Sequence, residues 1–574
     1  MNSTQLDRIR SLAMWSCLVA AAGCGDNAGL AGSPAPDLDA APVAPDAPTP
    51  PRSGPTKIAI ASGEIQGSVQ GTSRQFLGIP YAKPPVGALR WKPPQPADPW
   101  TAPLDATQFG KRCAQITSDV LQNAASTDED CLSLNVWTPV LPPATPLPVM
   151  VWIHGGGNVN GSTAEPVPFV RTGAFYSGEH LAGDHGVIVV SMNYRLGLFG
   201  FFAHPALAAE GPGAAPGNQG LLDQRLAMQW VKDNIAAFGG DPAQVTIFGE
   251  SAGSQDVCLH LASPGSIPLF RAAIGESGGC TTRQPTQLES AQLATTVATE
   301  LGCAGSNADV LACLRAMPSA DLMASDAVTS RLAGAGSAGT FGPTVDGDGG
   351  VIPDQPRALY NAGKIAQVPV LLGSNTDEGT LFVGGAHIAS QDDYAAALTA
   401  RYHDLEGTLE VLYDPTKEFA GALPNPFLAA YARVIGDSLL TCATFDTASR
   451  AAAAGNAVHM YNFDIPLAAA FDPPGGHLGA THGSELTSVF GTSPAFTAEE
   501  KSASDLIQRY WTNFAKTGDP NGDGDPAWPA FTSTANIRLN LAPVPATELD
   551  FRKPQCAFWQ LVYGNAFGDS PTAR

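Results

Sequence analysis

The sequence predicts an α/β fold, a mostly parallel central sheet flanked by helices and carried by one large domain. Two observations predict it. Short apolar runs at about 149–153, 187–192, 245–248, 271–275, 368–372 and 458–463 alternate with helical stretches, and strands separated by helices pair in parallel. The chain, 574 residues of which 44% are hydrophobic, can also bury a large core. Between residues 54 and 565 no repeat or linker interrupts the pattern, which leaves one domain and a short tail at 566–574.

The first 53 residues stand outside that fold. Arg8 and Arg10 precede a short apolar run, Ser11 to Ala22, too short to span a bilayer. Residues 1–23 therefore read as a leader peptide. It ends in Ala21-Ala22-Gly23-Cys24, which resembles a bacterial lipobox, with cleavage before Cys24 and lipidation of its thiol; Ala21 in place of leucine leaves an ordinary secretory leader as the alternative. Residues 24–53 carry many prolines and few large apolar groups, so they cannot bury a core and read as an extended tether. The expected location is the bacterial cell envelope, held to a membrane only through the lipid, or otherwise the medium.

Within the body, the strand Val149–Ile153 runs into His154-Gly155-Gly156-Gly157. Three glycines after a strand let the backbone approach a ligand and aim its N–H groups at it. The segment Gln219 to Ala237 places Leu222, Leu226 and Trp230 at helical spacing and stops at Gly239-Gly240 before Pro242. The strand Val245–Phe248 then meets Gly249-Glu250-Ser251-Ala252-Gly253. A strand that breaks at a glycine-flanked serine and continues as a helix exposes the hydroxyl at the helix N-terminus, where developing negative charge is favoured. Ser251 is the candidate nucleophile, and Glu250 beside it reads by itself as a buried, hydrogen-bonded carboxylate.

Further along, Ser277 follows the strand at 271–275. The strand at 368–372 leads to Ser374-Asn375-Thr376-Asp377-Glu378-Gly379, and Gly479-Ala480-Thr481-His482-Gly483-Ser484-Glu485 comes later. The order serine, acid, histidine supplies nucleophile, orienting carboxylate and base in one of the known chain orders. Near the C-terminus, Thr497 and Glu500 form a capping box before Ile507, Tyr510, Trp511 and Phe514, an amphipathic helix.

Composition excludes other classes. A net charge of −22 argues against nucleic-acid partners, which require a basic patch. Asp519 to Asp525 imitates the start of a calcium loop, but Pro520 and Ala530 spoil it, so no metal and no cofactor are expected. The sequence sets no oligomeric state.

Taken with Phe76-Leu77-Gly78-Ile79-Pro80-Tyr81-Ala82-Lys83-Pro84-Pro85-Val86-Gly87, Glu129-Asp130-Cys131-Leu132, Asn193-Tyr194-Arg195-Leu196-Gly197, Gly217-Asn218-Gln219-Gly220 and Phe238-Gly239-Gly240-Asp241-Pro242, these motifs resemble the type-B carboxylesterases of the cholinesterase and lipase family, from about Gly54 to Tyr563. The resemblance implies an α/β-hydrolase fold and a small-molecule ester substrate. It implies a catalytic set of Ser251, Glu378 and His482, with oxyanion donors at Gly156, Gly157 and Ala252, Glu250 lining the site and Ser277 in support. The family's D-E-G motif favours Glu378 over Asp377, and its H-G-x-E context favours His482 over His477. Three disulfides follow from the same resemblance: Cys113–Cys131, Cys303–Cys313 and Cys442–Cys556. Cys258 and Cys280 remain, as a fourth bridge or as two buried thiols; an even count in an exported chain tips the balance to the bridge, while the depth of Cys258 on its helix argues against it. Non-catalytic adhesion members of the family lack the serine, and the serine is present here. Choline-selective members carry a tryptophan in the Cys113–Cys131 loop for cation–π binding, and Ala114 to Asp130 contains no aromatic residue.

Overall fold

The computed structural model describes residues 54–117, 124–166, 174–211, 213–332, 340–422, 424–466, 478–532 and 534–566. All belong to one compact unit, Arg52–Arg574. The leader, the tether, Cys24, His477 and the tail beyond 566 lie outside the described residues.

A twelve-stranded sheet forms the frame. Its strands are β1 (Ser68–Gln70), β2 (Ser73–Pro80), β3 (Ser133–Pro139), β4 (Leu147–Ile153), β5 (Ile188–Met192), β6 (Gly240–Glu250), β7 (Ala272–Glu276), β8 (Val370–Asn375), β9 (Val458–Phe463), β10 (Ala530–Phe531), β11 (Ile537–Leu541) and β12 (Ala546–Leu549). They lie in the order β12-β11-β9-β8-β7-β6-β4-β5-β3-β2-β1, with β10 pairing off β9. The block from β5 through β11 is parallel, and the outer pairs are antiparallel. A separate three-stranded sheet joins Lys57–Ile60, Gly63–Gln66 and Leu104–Asp105.

Each apolar run of the sequence is a strand of the parallel block. Side-chain alternation explains why these runs are apolar throughout. Along β4, Val149, Val151 and Ile153 enter one core, while Met150 and Trp152 enter a second. A parallel sheet is covered on both faces, so neither parity is left for water. The first core also takes Val257, Leu259 and Leu261 of α2 (Ala252–Leu261). The second takes Ile507, Tyr510, Trp511 and Phe514 of α3 (Ala498–Thr517). The predicted capping box of α3 is present in full, Thr497 accepting from Glu500 N–H and Glu500 returning the bond.

The helix predicted from Gln219 is α1 (Gln219–Asn234), continued by a tighter turn to Phe238 and stopped at Gly239 with φ 93°. Its buried face differs from the expected one. Leu222 and Leu226 are half-buried, whereas Asp223 and Gln224 are buried. Polar groups turn inward because each has a partner: Asp223 forms a bidentate pair with Arg195 at 2.7 Å, and Gln224 donates to Asp256 at 2.7 Å.

Four disulfides join described residues: Cys113–Cys131, Cys258–Cys280, Cys303–Cys313 and Cys442–Cys556. The Cys258–Cys280 bridge, with Cα atoms 5.6 Å apart, forms despite the depth of Cys258 because the loop after β7 folds back along α2. Gly278 makes this possible. A Cβ there would sit 2.3 Å from the Ser251 carbonyl oxygen, and Ser254 Oγ donates to the Gly278 carbonyl at 2.6 Å. The bridge closes a span of 22 residues. Replacing both cysteines with alanine is expected to lower unfolding stability by roughly 3 kcal/mol, read from denaturant midpoints; unchanged midpoints would show that the bridge contributes nothing.

Candidate active site

Register brings the carboxyl ends of the parallel strands together. Ile153 lies opposite Gly249, Glu250 opposite Glu276, and Glu276 opposite Gly373. The loops that follow β4, β6, β7 and β8 therefore emerge side by side, where open α/β sheets place their sites. These loops and the strand ends before them hold Gly156, Gly157, Glu250, Ser251, Ala252, Ser277 and Glu378, and His482 joins them from the segment after β9, where Thr481 bridges to Asp377.

Ser251 sits between β6 and α2 with φ 57° and ψ −122°, a conformation costly for any residue but glycine. The strain is held by packing. A Cβ on Gly249 would lie 2.7 Å from the Gly253 carbonyl, and one on Gly253 would lie 2.1 Å from the Ile153 oxygen. Both glycines flanking the turn are thus required by close backbone approach, as the motif predicts. The Ser251 N–H is fixed to the Glu276 carbonyl at 2.9 Å. Gly156 and Gly157, half-exposed at φ 103° and 65°, turn after β4. Ala252 opens α2, where the first backbone N–H groups have no partner within the helix. Gly155 lies close by: a Cβ there would be 2.9 Å from that of Ser251.

His482 is hydrogen-bonded to one carboxylate and lies within ion-pair distance of a second, whose near oxygen makes no hydrogen bond. Its Nδ1 is 2.7 Å from Glu378 Oε2, and its Nε2 is 3.1 Å from Glu250 Oε1. The Nε2 therefore faces Glu250 in this arrangement, and no hydrogen bond links it to the Ser251 hydroxyl. Glu378 is held in turn by the Asn375 N–H at 2.7 Å on Oε1. The loops of acid and histidine are stitched together by Asn375 Nδ2, which donates to the Thr481 carbonyl at 2.8 Å and to Glu485. Asp377, the rival acid, contributes to the same stitching. Its carboxylate accepts from Ala480 N–H at 3.1 Å and pairs with Arg433 at 3.4 Å, and it makes no bond to His482.

The electrostatics are those of a buried, acid-rich site. Burial lowers the affinity of His482 for a proton, but Glu250 and Glu378 outweigh that and push the imidazole up to about 9. Burial pushes Glu250 up to about 7, opposed by His482. Glu276, which accepts from Trp511 Nε1 at 2.8 Å, is pushed up to about 8 by burial. Glu485 is raised well above the usual carboxylate range by burial and by its neighbours Glu250, Glu276 and Glu378. Sequence reasoning named two of these four carboxylates. Glu276 and Glu485 stand next to Ser277 and within the H-G-x-E motif, but no local signal marks them as site residues.

Ser277 follows β7, buried, with φ 55° and its N–H bonded to the Gly373 carbonyl at 2.8 Å. His154 is held neutral by burial, down to about 4, and stacks on Tyr194, whose hydroxyl donates to the His154 carbonyl at 2.8 Å. The Phe382 ring, 44% exposed, lies 5.1 Å from the His482 ring and presents an apolar surface at the mouth of the site. Among the described residues no group of three or more His, Cys, Asp and Glu could hold a metal ion. Asp525 of the calcium-loop imitation pairs instead with Arg509 at 2.9 Å.

Residues 54–559 match the carboxylesterase family, and the chain belongs to it. Its α/β architecture, with a large and mostly parallel sheet, is the α/β-hydrolase fold of that family. The chain is 37% identical to the cholinesterase of Mus musculus over 549 residues, 88% of this chain and 86% of the relative. It is 35% identical to the acetylcholinesterase of Bungarus fasciatus over 548 residues, 89% of this chain and 87% of that protein.

Proposed function

We propose that this protein is a serine carboxylesterase that cleaves carboxylic esters through an acyl-enzyme on Ser251. The observation that carries the proposal is the 2.7 Å bond between Glu378 and His482 beside a serine held in a strained strand-to-helix turn. In the reaction, the neutral imidazole leaves Glu250 and takes the Ser251 proton at Nε2. Glu378 keeps the other ring proton on Nδ1 and stabilises the imidazolium that forms. Ser251 Oγ bonds to the ester carbonyl carbon, and the carbonyl oxygen takes the negative charge toward the N–H groups of Gly156, Gly157 and Ala252. His482 returns the proton to the departing alcohol. Water then attacks the acyl-enzyme with the same base, and the acid leaves.

The flanking carboxylates give this mechanism a pH signature. Only neutral His482 can act as base, and a raised proton affinity delays the neutral form to higher pH. The rate should therefore rise with pH through an ionisation above the usual histidine range. Glu250→Gln removes one of the charges that holds the proton, so the rising limb of kcat/KM should move to lower pH. A limb that stays in place or moves upward would show that Glu250 does not govern the base.

A neutral ester suits the site better than a choline ester, since the Cys113–Cys131 loop has no ring for a cation. The four disulfides suit an oxidising compartment, which supports export and, with Cys24, a lipid tether. Cys24→Ser should then release the protein from the membrane fraction; wild type already free of the membrane would contradict the tether. Burst kinetics test the activity itself. A chromogenic ester mixed with enzyme should release about one equivalent of alcohol rapidly before the steady state, and the absence of any turnover would favour a non-catalytic binding member of the family.

A further inference from the structure

We propose that Asn158 and Asp256 form a strut that sets the spacing between the two halves of the oxyanion site, which makes both positioning residues for ester hydrolysis. The inference rests on the esterase reading given above. The donors proposed there come from two separate pieces of chain. Gly156 and Gly157 belong to the loop after β4, and Ala252 belongs to α2. Such donors must be held to within about 0.5 Å to act on a developing charge, so something has to fix loop against helix.

Asn158 follows Gly157 directly. It is buried, and its φ of 59° is the left-handed conformation that asparagine tolerates better than most residues. Its backbone is tied on one side, the carbonyl accepting from Gly197 N–H at 2.7 Å. Its side chain reaches the other way, with Nδ2 donating to Asp256 Oδ1 at 3.1 Å. Asp256 is four residues beyond Ala252 on α2, so it lies one turn below that N–H on the same face. The bond thus joins the residue next to one pair of donors with the turn beneath the third.

Asp256 is braced from behind. Its other oxygen accepts from Gln224 Nε2 of α1 at 2.7 Å. Gln224 Oε1 is bonded to His260 Nε2 at 2.8 Å, and His260 Nδ1 to Ser266 Oγ at 2.8 Å. Every residue of this chain is buried. The partners of the carboxylate are two amides and no cation, and burial pushes Asp256 up to about 7. A buried carboxylate without a counter-charge costs stability. Its presence beneath the site points to a need for two acceptor oxygens in fixed positions, one for the loop and one for α1.

The test uses three single variants and one double. Asn158→Gly deletes the amide alone and suits the left-handed backbone, Asp256→Ala removes the acceptor, and Asp256→Asn keeps an oxygen facing Asn158. With a p-nitrophenyl ester, Asn158→Gly and Asp256→Ala should each lower kcat by roughly 10- to 100-fold, less than the ~10²–10³ for outright loss of a donor. KM should stay within about twofold. The double variant should be no worse than the poorer single, because one strut can be lost only once. Asp256→Asn should recover only part of the rate lost in Asp256→Ala, since its oxygen can still accept from Asn158 while its NH₂ loses the bond from Gln224. A trifluoromethyl ketone supplies the readout that a merely structural role would leave unmoved. On addition, Ser251 Oγ bonds to the ketone carbon, its proton passes to His482, and the ketone oxygen becomes an oxyanion. The affinity for this ketone should weaken in parallel with kcat/KM, while that for the product acid stays constant. Variants with wild-type kcat and ketone affinity would overturn the strut and leave the esterase reading standing, as would losses that multiply in the double variant. Should Asp256→Ala fail to fold, Asn158→Gly decides alone. A wild-type protein that neither hydrolyses the ester nor binds the ketone would overturn the esterase reading and the strut together.

Discussion

Ser251→Ala is expected to lower ester turnover by about 10⁵–10⁶-fold, the scale on which removing a serine nucleophile acts in another hydrolase. The fold should be unaffected. The strained turn is held by Gly249, Gly253 and the Ser251 N–H bond to Glu276, none of which uses the hydroxyl, and alanine adds no atom. Circular dichroism and the melting temperature should match the wild type while steady-state turnover falls to background. A variant that keeps more than about a hundredth of the rate would move the nucleophile elsewhere, with Ser277 the first place to look.

Glu378→Gln should cost about 10⁴-fold in kcat, as the loss of the orienting carboxylate does in a serine hydrolase of another fold. The present hydrogen bonds explain why a change of one atom matters so much. Glu378 uses one oxygen for the Asn375 N–H and the other for His482 Nδ1. A glutamine keeps a single acceptor. With that oxygen on Asn375, its NH₂ faces Nδ1 and forces the ring proton onto Nε2, the atom that has to accept the serine proton. Turnover measured across the pH range checks this, since no pH restores the correct tautomer. A loss of less than about tenfold would show that Glu378 is not the orienting acid.

The candidate site residues could be singled out in the sequence for a physical reason. A serine turn needs glycines at fixed offsets, and backbone donors after a strand need glycines too, so Gly249, Gly253 and Gly155 to Gly157 mark their places. Strands of the parallel block were legible because both faces are apolar, except β11, where Arg538 and Asn540 interrupt the apolar run. The antiparallel strands β2 and β3 were not identified as strands, although their motifs were noted. Ser133–Pro139 carries Ser133, Asn135 and Thr138 as buried polar groups. Asn135, for example, spends its side chain on the Gly78 N–H and on Ser191, and such pairing blurs the hydrophobic pattern.

What stayed hidden depends on contacts between distant segments. The bond between Asn158 and Asp256 spans 98 residues, and neither position has a local signature. Glu276 and Glu485 lie in the site because strand register and the histidine loop bring them there. The inward polar face of α1 has the same origin, as Asp223 and Gln224 are buried for partners in other elements. The position of His482 between Glu250 and Glu378 could not be read from spacing, because Glu250 appears in the sequence only as a neighbour of Ser251.

The central claim is that Ser251 becomes acylated, and labelling followed by peptide mass spectrometry tests it most directly. Enzyme treated with a slowly released p-nitrophenyl ester, or with a phosphorylating analogue that leaves a stable bond, should gain one adduct per chain. Fragmentation should place that adduct on Ser251, within Gly249-Glu250-Ser251-Ala252-Gly253, and Ser251→Ala should abolish it. An unmodified Ser251 peptide in a protein that still turns over ester, or an adduct on Ser277 or any other residue, would contradict the account.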